Sequence, residues 1–162
     1  ADTIVLSADT IGVQQDQYEP NNIILSKPAD AHEAFQMLRR LRERPHTVYT
    51  AFRLLKIAED RPNELAHMTY IDHLEATEVT MRDYTDDEIE AYIASGDPFD
   101  KAGGYAIQNR AFRPVLQIDG CYNNVVGLPL CAVKRALNEY GVWGLGASDV
   151  CDCPRYIESD AL

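Results

Sequence analysis

The stretch Thr3-Ile4-Val5-Leu6-Ser7-Ala8-Asp9-Thr10 governs how the rest of the chain is read. Ile4, Val5 and Leu6 are consecutive β-favouring apolar residues without the alternation of a half-wet strand. The run therefore predicts a strand covered on both faces, as in a parallel or mixed α/β sheet. Asp9 is expected at the carboxyl end of that strand, where ligands collect in open α/β sheets. A carboxylate placed there can hold a divalent cation or accept a proton from an attacking water. The plainer alternative is that Asp9 caps a turn, as Asp often does after strands.

Outward from this stretch, Ile11-Gly12-Val13 can continue the strand before a polar loop that runs to Asn22. Ile23-Ile24-Leu25 leads into Ser26-Lys27-Pro28. Asp30 with Glu33 three residues later is a capping-box-like start, and Ala31, Ala34, Phe35, Leu38 and Leu41 recur at helical spacing, predicting a helix over 30–43. Its other face, with Arg39, Arg40, Arg42 and Glu43, reads as a solvated face. Pro45 stops the helix. His46 to Ile57 reads as a strand, residues 58–68 as a polar turn, and Ile71 to Tyr84 as the strand that returns antiparallel to it. His46, His67 and His73 read as ordinary strand or turn residues, because no second metal-type residue shares a spacing with them.

Thr85-Asp86-Asp87-Glu88 is a full capping-box pattern opening a short helix that Gly96 ends. In the following loop Lys101 precedes Gly103-Gly104, a pairing that lets backbone N–H groups approach an anion beside an ammonium; a Gly-Gly pair is also often only a turn. Phe112 to Ile118 predicts another strand. Pro129 is well placed in the first turn of a helix over 129–140, closed by Gly141. Beyond Trp143 helix and strand signals are few, so residues 1–142 are expected to form one domain and 143–162 an irregular surface tail.

A chain of 162 residues is most simply a single domain with a real core. No stretch is long and apolar enough to cross a bilayer, and no basic-then-apolar leader is present. The net charge of −11 argues against DNA, RNA or an anionic membrane as a partner. A bound polyanion would need a metal ion and a few lysines or arginines gathered locally. Cys121 and Cys131 sit among apolar neighbours and read as buried thiols. Cys151-Asp152-Cys153-Pro154 lacks the paired spacing of a zinc site, and a cytoplasmic, reduced protein is expected.

Several segments are recognisable together. Ser-Ala-Asp-Thr at 7–10, Ser-Lys-Pro at 26–28, His-Thr-Val-Tyr-Thr at 46–50 and Thr-Glu-Val-Thr-Met-Arg at 77–82 occur in order. They are followed by Asp-Lys-Ala-Gly-Gly-Tyr-Ala-Ile-Gln at 100–108 and Asn-Val-Val-Gly-Leu-Pro-Leu at 124–130. Over residues 1–140 the set resembles the Maf family of nucleoside triphosphate pyrophosphatases, named for septum-formation inhibition. The resemblance implies an α/β fold with an elongated mixed sheet flanked by helices and a deep cleft. It also implies divalent-metal-dependent (Mg²⁺ or Mn²⁺) cleavage of the α–β phosphoanhydride, releasing a nucleoside monophosphate and pyrophosphate.

Carried over residue by residue, the resemblance implies Asp9 as proton acceptor, and Asp9 is also the expected metal ligand. Lys27 and Lys101 match lysines of the cleft, while Thr10 and Gln108 match positions that tune nucleobase choice. The Ala-Asp-Thr and Tyr-Ala-Ile-Gln spellings resemble the branch acting on dTTP and UTP, not the one acting on 7-methyl-GTP. Two departures stand out. The family's N-terminal βα unit, with its phosphate-gripping Ser-Pro-Arg-Arg-like loop, is expected to be missing ahead of Ser7. Asn109-Arg110-Ala111-Phe112 also replaces a glycine-rich stretch, with Arg110 as a replacement charge.

The leading expectation is thus a pyrimidine nucleoside triphosphate pyrophosphatase. A truncated relative that binds nucleotides or a partner without turnover is the alternative, and a metal-binding regulator using Cys151 and Cys153 a third. An uncovered sheet edge would favour a homodimer.

Overall fold

The computed structural model describes residues 2–15, 22–58 and 68–142. Its elements are β1 (Thr3–Gln14), β2 (Ile23–Leu25), α1 (Ala31–Leu41), β3 (Pro45–Ile57), β4 (Met68–Met81), α2 (Asp86–Ala94), β5 (Val115–Asp119), α3 (Tyr122–Val126) and α4 (Leu130–Glu139). Two short 3₁₀ turns, Asp97–Asp100 and Ala102–Gly104, lie between α2 and β5. The strands form one sheet in the order β2-β1-β3-β4-β5, and every pairing among them is antiparallel. The fold is α/β, an elongated sheet flanked by helices, and the long β3–β4 hairpin expected from the sequence is its backbone.

Period-two alternation decides where the core sits. In β3 His46, Val48, Thr50, Phe52 and Leu54 are buried, and all point to one face. Val48 joins Leu38 and Leu41 of α1 and Ile89 and Tyr92 of α2 in one cluster, while Phe52 and Leu54 meet Ala132, Val133 and Ala136 of α4 in another. The helices thus gather on a single side. On the other side Val5, Tyr70 and Leu74 are 45, 61 and 63 % exposed, and Arg53 makes a two-pronged ion pair with Asp72 at 2.6 Å across the strands.

The helix starts follow their sequence signals. Thr85 accepts the Glu88 N–H and the Glu88 carboxylate accepts the Thr85 N–H, a complete capping box. In α1 Asp30 accepts the Glu33 N–H, but the Glu33 carboxylate reaches one residue further back, to the Ala29 N–H. Gly96 ends α2 with a left-handed φ of +79°.

Four expectations are corrected. The opening strand is not covered on both faces: the helices gather on one side of the sheet, Val5 is exposed on the other, and Leu6 is exposed too. Among the described residues, residues 3–11 also have no strand beside them on the edge away from β3. Asp9 does not stand at a strand end, because β1 runs on to Gln14 and Asp9 pairs with Ala51 in mid-strand. Cys131 is half-buried, unlike Cys121. The fifth strand starts at Val115, the buried Phe112 standing in the turn before it, and the short helix α3 was not foreseen. The tail 143–162 with Cys151 and Cys153, and His67, lie outside the described residues.

Candidate functional site

On the helix-bearing side of the sheet a cavity of about 370 Å³ opens between β1, the start of β3, the segment 100–108 and the α3–α4 joint. Asp9, Thr10, Lys27, Lys101 and Gln108 all border it, so the structure brings the five residues singled out in the sequence to one space. His46 and Gly127 border it too.

Each position has a local cause. Alternation along β1 sends Asp9 to the face opposite Ala8 and Thr10. Its Oδ1 nonetheless accepts the Thr10 N–H at 2.9 Å, which draws the carboxylate to the strand edge. There it borders both the cavity and a shallower hollow with Ser7, Arg53 and Asp72. Thr10 points inward: its hydroxyl donates to the Gly127 carbonyl at 3.0 Å and lies 2.8 Å from the Thr50 hydroxyl. With its one proton given to Gly127, Thr10 receives the Thr50 hydroxyl as an acceptor. Lys27 follows β2 directly and is exposed.

Lys101 sits in an acidic cradle. Its Nζ donates to the Asp97 carbonyl at 2.9 Å and to Asp100 Oδ1 at 2.6 Å, and lies 3.1 Å from Asp97 Oδ1. Partial burial opposes its charge, but the hydrogen bonds to Asp100 and Asp97 outweigh it and hold the ammonium above its ordinary range. The paired glycines beside it do not form an anion cradle. The Gly103 N–H donates to the Ser26 carbonyl and the Gly104 N–H to the Lys101 carbonyl, both at 3.0 Å. Their positive φ values of +76° and +67° instead fold the segment tightly against Pro28 and Met37.

Gln108 is exposed and is held by its neighbours. Tyr105 is buried, its hydroxyl 2.7 Å from His46 Nε2, and the two rings meet edge-on. Burial pushes the His46 imidazole down to about 4, so it is neutral at ordinary pH, and burial pushes the Tyr105 phenol far above its usual range. His46 Nδ1 is buried without a partner. The sequence reading placed His46 correctly in a strand but gave no hint of this contact, which joins residues 59 apart in the chain. Asp97, Tyr92 and Asn109, which brace the same segment, were also missed.

A metal ion has a place here only in a particular mode. Among the described residues no three His, Cys, Asp or Glu side chains gather to hold one. Asp9 and Asp100 both border the cavity, and Mg²⁺ is commonly bound through one or two carboxylates with substrate phosphates and water completing its shell. The residues fit that mode, not a closed protein cage.

A family model described as Maf-like protein matches residues 1–140. Among similar proteins, the dTTP/UTP pyrophosphatase of Dictyoglomus turgidum is 37% identical over 138 residues, covering 85% of this chain and 64% of the relative. That of Thermomicrobium roseum is 44% identical over 137 residues, 85% of this chain and 56% of the relative. That of Moorella thermoacetica is 42% identical over 145 residues, 88% of this chain and 68% of the relative. The chain thus spans about two thirds or less of the length of most of the curated relatives it matches.

Proposed function

The chain belongs to the Maf family, and from that premise we propose that it hydrolyses dTTP and UTP to the monophosphate and pyrophosphate. The observation that carries this reading is the meeting of two carboxylates (Asp9 and Asp100), two lysines and the Gln108 carboxamide around a single cavity in a chain of net charge −11. Lys27 and Lys101 are the ammonium groups that meet the triphosphate there, Lys101 once it turns from Asp97 and Asp100.

In this mechanism Lys27 and Lys101 hold the phosphates. Lys101 exchanges part of its contact with Asp97 and Asp100 for substrate oxygens. Asp9 takes the proton of a water attacking the α-phosphorus, and the α–β bridging oxygen leaves with pyrophosphate. Gln108, with one donor and one acceptor group, reads the edge of a pyrimidine. Thr10 contributes by fixing the wall behind the base, since its hydroxyl is spent on Gly127 and Thr50. A divalent cation, held by Asp9 with phosphate oxygens and water, would supply charge neutralisation.

The catalytic domain is assigned to residues 1–142. No helix among the described residues is long and apolar enough to cross a membrane, and a nucleotide substrate suits the cytoplasm. Among the described residues the edge of β1 over residues 3–11 has no strand beside it, which suits pairing with a second copy.

The test is pyrophosphate release from dTTP, UTP, CTP and modified pyrimidine nucleotides with Mg²⁺ or Mn²⁺. Release with preference for dTTP and UTP supports the reading. Binding without release would favour a non-catalytic relative.

A further inference from the structure

We propose that Asp97 is a positioning residue that couples the grip on phosphate to the choice of base. The inference rests on the roles given above to Lys101 and Gln108.

Asp97 opens the first 3₁₀ turn, just after the left-handed Gly96. Its two carboxylate oxygens face different partners, of which Lys101 borders the cavity. Oδ1 lies 3.1 Å from Lys101 Nζ. Oδ2 accepts the Tyr92 hydroxyl at 2.9 Å and the Asn109 Nδ2 at 3.1 Å. The Tyr92 oxygen in turn accepts the Ala106 N–H at 3.2 Å, and the Asn109 N–H donates to the Ala106 carbonyl at 3.1 Å. Gln108 therefore lies in a short turn whose flanking residues, Ala106 and Asn109, are both moored to the carboxylate that faces Lys101.

Partial burial works against the Asp97 charge, but hydrogen bonds from Lys101, Tyr92 and Asn109 outweigh it and hold the carboxyl below its usual range. It is thus a full acceptor for all three donors at neutral pH. Asp100 also touches Lys101, but its side chain is 80% exposed and reaches none of the Tyr92–Asn109 contacts. A shift of Lys101 toward substrate pulls on the same carboxylate that aligns Gln108, which is the physical content of the coupling.

The experiment measures binding to the full chain by calorimetry in Mg²⁺ buffer with three probes: inorganic tripolyphosphate, α,β-methylene dTTP and α,β-methylene dATP. Asp97→Ala is expected to weaken tripolyphosphate about tenfold and to shrink the thymine-over-adenine preference by a similar factor, the size of one lost charge-assisted hydrogen bond. Asp97→Asn keeps an oxygen for Tyr92 and Asn109 and sets an amide NH₂, a donor without charge, where the carboxylate oxygen accepted from Lys101. It should restore the base preference while leaving tripolyphosphate weak. Tyr92→Phe should do the reverse. A loss common to all three probes in Asp97→Ala, with the preference unchanged, would overturn the coupling and leave Asp97 a support for Lys101 alone. Failure of Asp97→Asn to restore the preference would overturn it too. Wild-type protein that binds the analogues but releases no pyrophosphate from dTTP would defeat the catalytic reading without touching this one. Wild-type protein that binds no probe would defeat both.

Discussion

The hydroxyl of Thr10 donates to the carbonyl of Gly127 at 3.0 Å, joining mid-strand β1 to the α3–α4 joint across 117 residues of chain. Asp9 is the next residue back, so this bond helps fix the carboxylate as well as the cavity wall. Thr10→Val keeps the shape and removes the bond, and should cost about 1 kcal/mol of stability, with Thr10→Ser close to wild type. Urea unfolding of the two variants measures the difference. Base preference should loosen in the valine variant alone.

Gly12 faces Leu25 across the β1–β2 pair with no room to spare. A Cβ at residue 12 would stand 2.9 Å from Leu25 Cδ1 and 3.2 Å from Leu25 Cβ. Gly12→Ala should therefore cost about 1–3 kcal/mol through overpacking. Since β2 carries Lys27 two residues further on, the apparent affinity for triphosphate should fall with it. Adding Leu25→Val should recover part of both losses, which thermal melts and KM values would read.

His46 gives a pH dependence whose sign is fixed by burial. Its pKa falls from 6.5 to about 4 in the fold. Between those values the unfolded chain binds the extra proton, so the contribution to stability is complete above pH 6.5 and is lost as pH falls toward 4. At 1.36 kcal/mol per unit, the full swing is about 3 kcal/mol. His46→Gln should flatten this part of the stability–pH curve relative to wild type, measured as denaturant midpoints at neutral pH and in the acid window.

What was legible in the sequence was whatever depended on near neighbours. The helical spacing of Leu38 and Leu41, the Thr85–Glu88 capping box and the alternation of the β3–β4 hairpin all act within a few residues. The opening strand was misread because an apolar triplet looks the same in a sheet packed on one face as in a sheet packed on both. That Ile11-Gly12-Val13 continue the strand was legible, but not that Gly12 is a close approach to Leu25. The helix α3 is held by tertiary contacts that no local signal announces: Asn124 Nδ2 donates to the Val48 carbonyl and to Thr77 Oγ1. The same holds for the site. Asp9, Lys27, Lys101 and Gln108, which border one cavity, were singled out through ordered motifs, whereas Asp97 and His46 make their contacts with partners far along the chain or across a loop.

The account turns on Asp9 as the proton acceptor at the cavity edge. Pyrophosphate release from dTTP and UTP by wild type and Asp9→Asn, at matched folding shown by circular dichroism, tests it most directly. Asp9 is exposed and its Oδ1 accepts one backbone N–H, which an amide oxygen can also accept, so the variant should fold normally. Loss of about 10²–10⁴ in turnover, the size of a general-base contribution, is the predicted result. Turnover within a few-fold of wild type would contradict it.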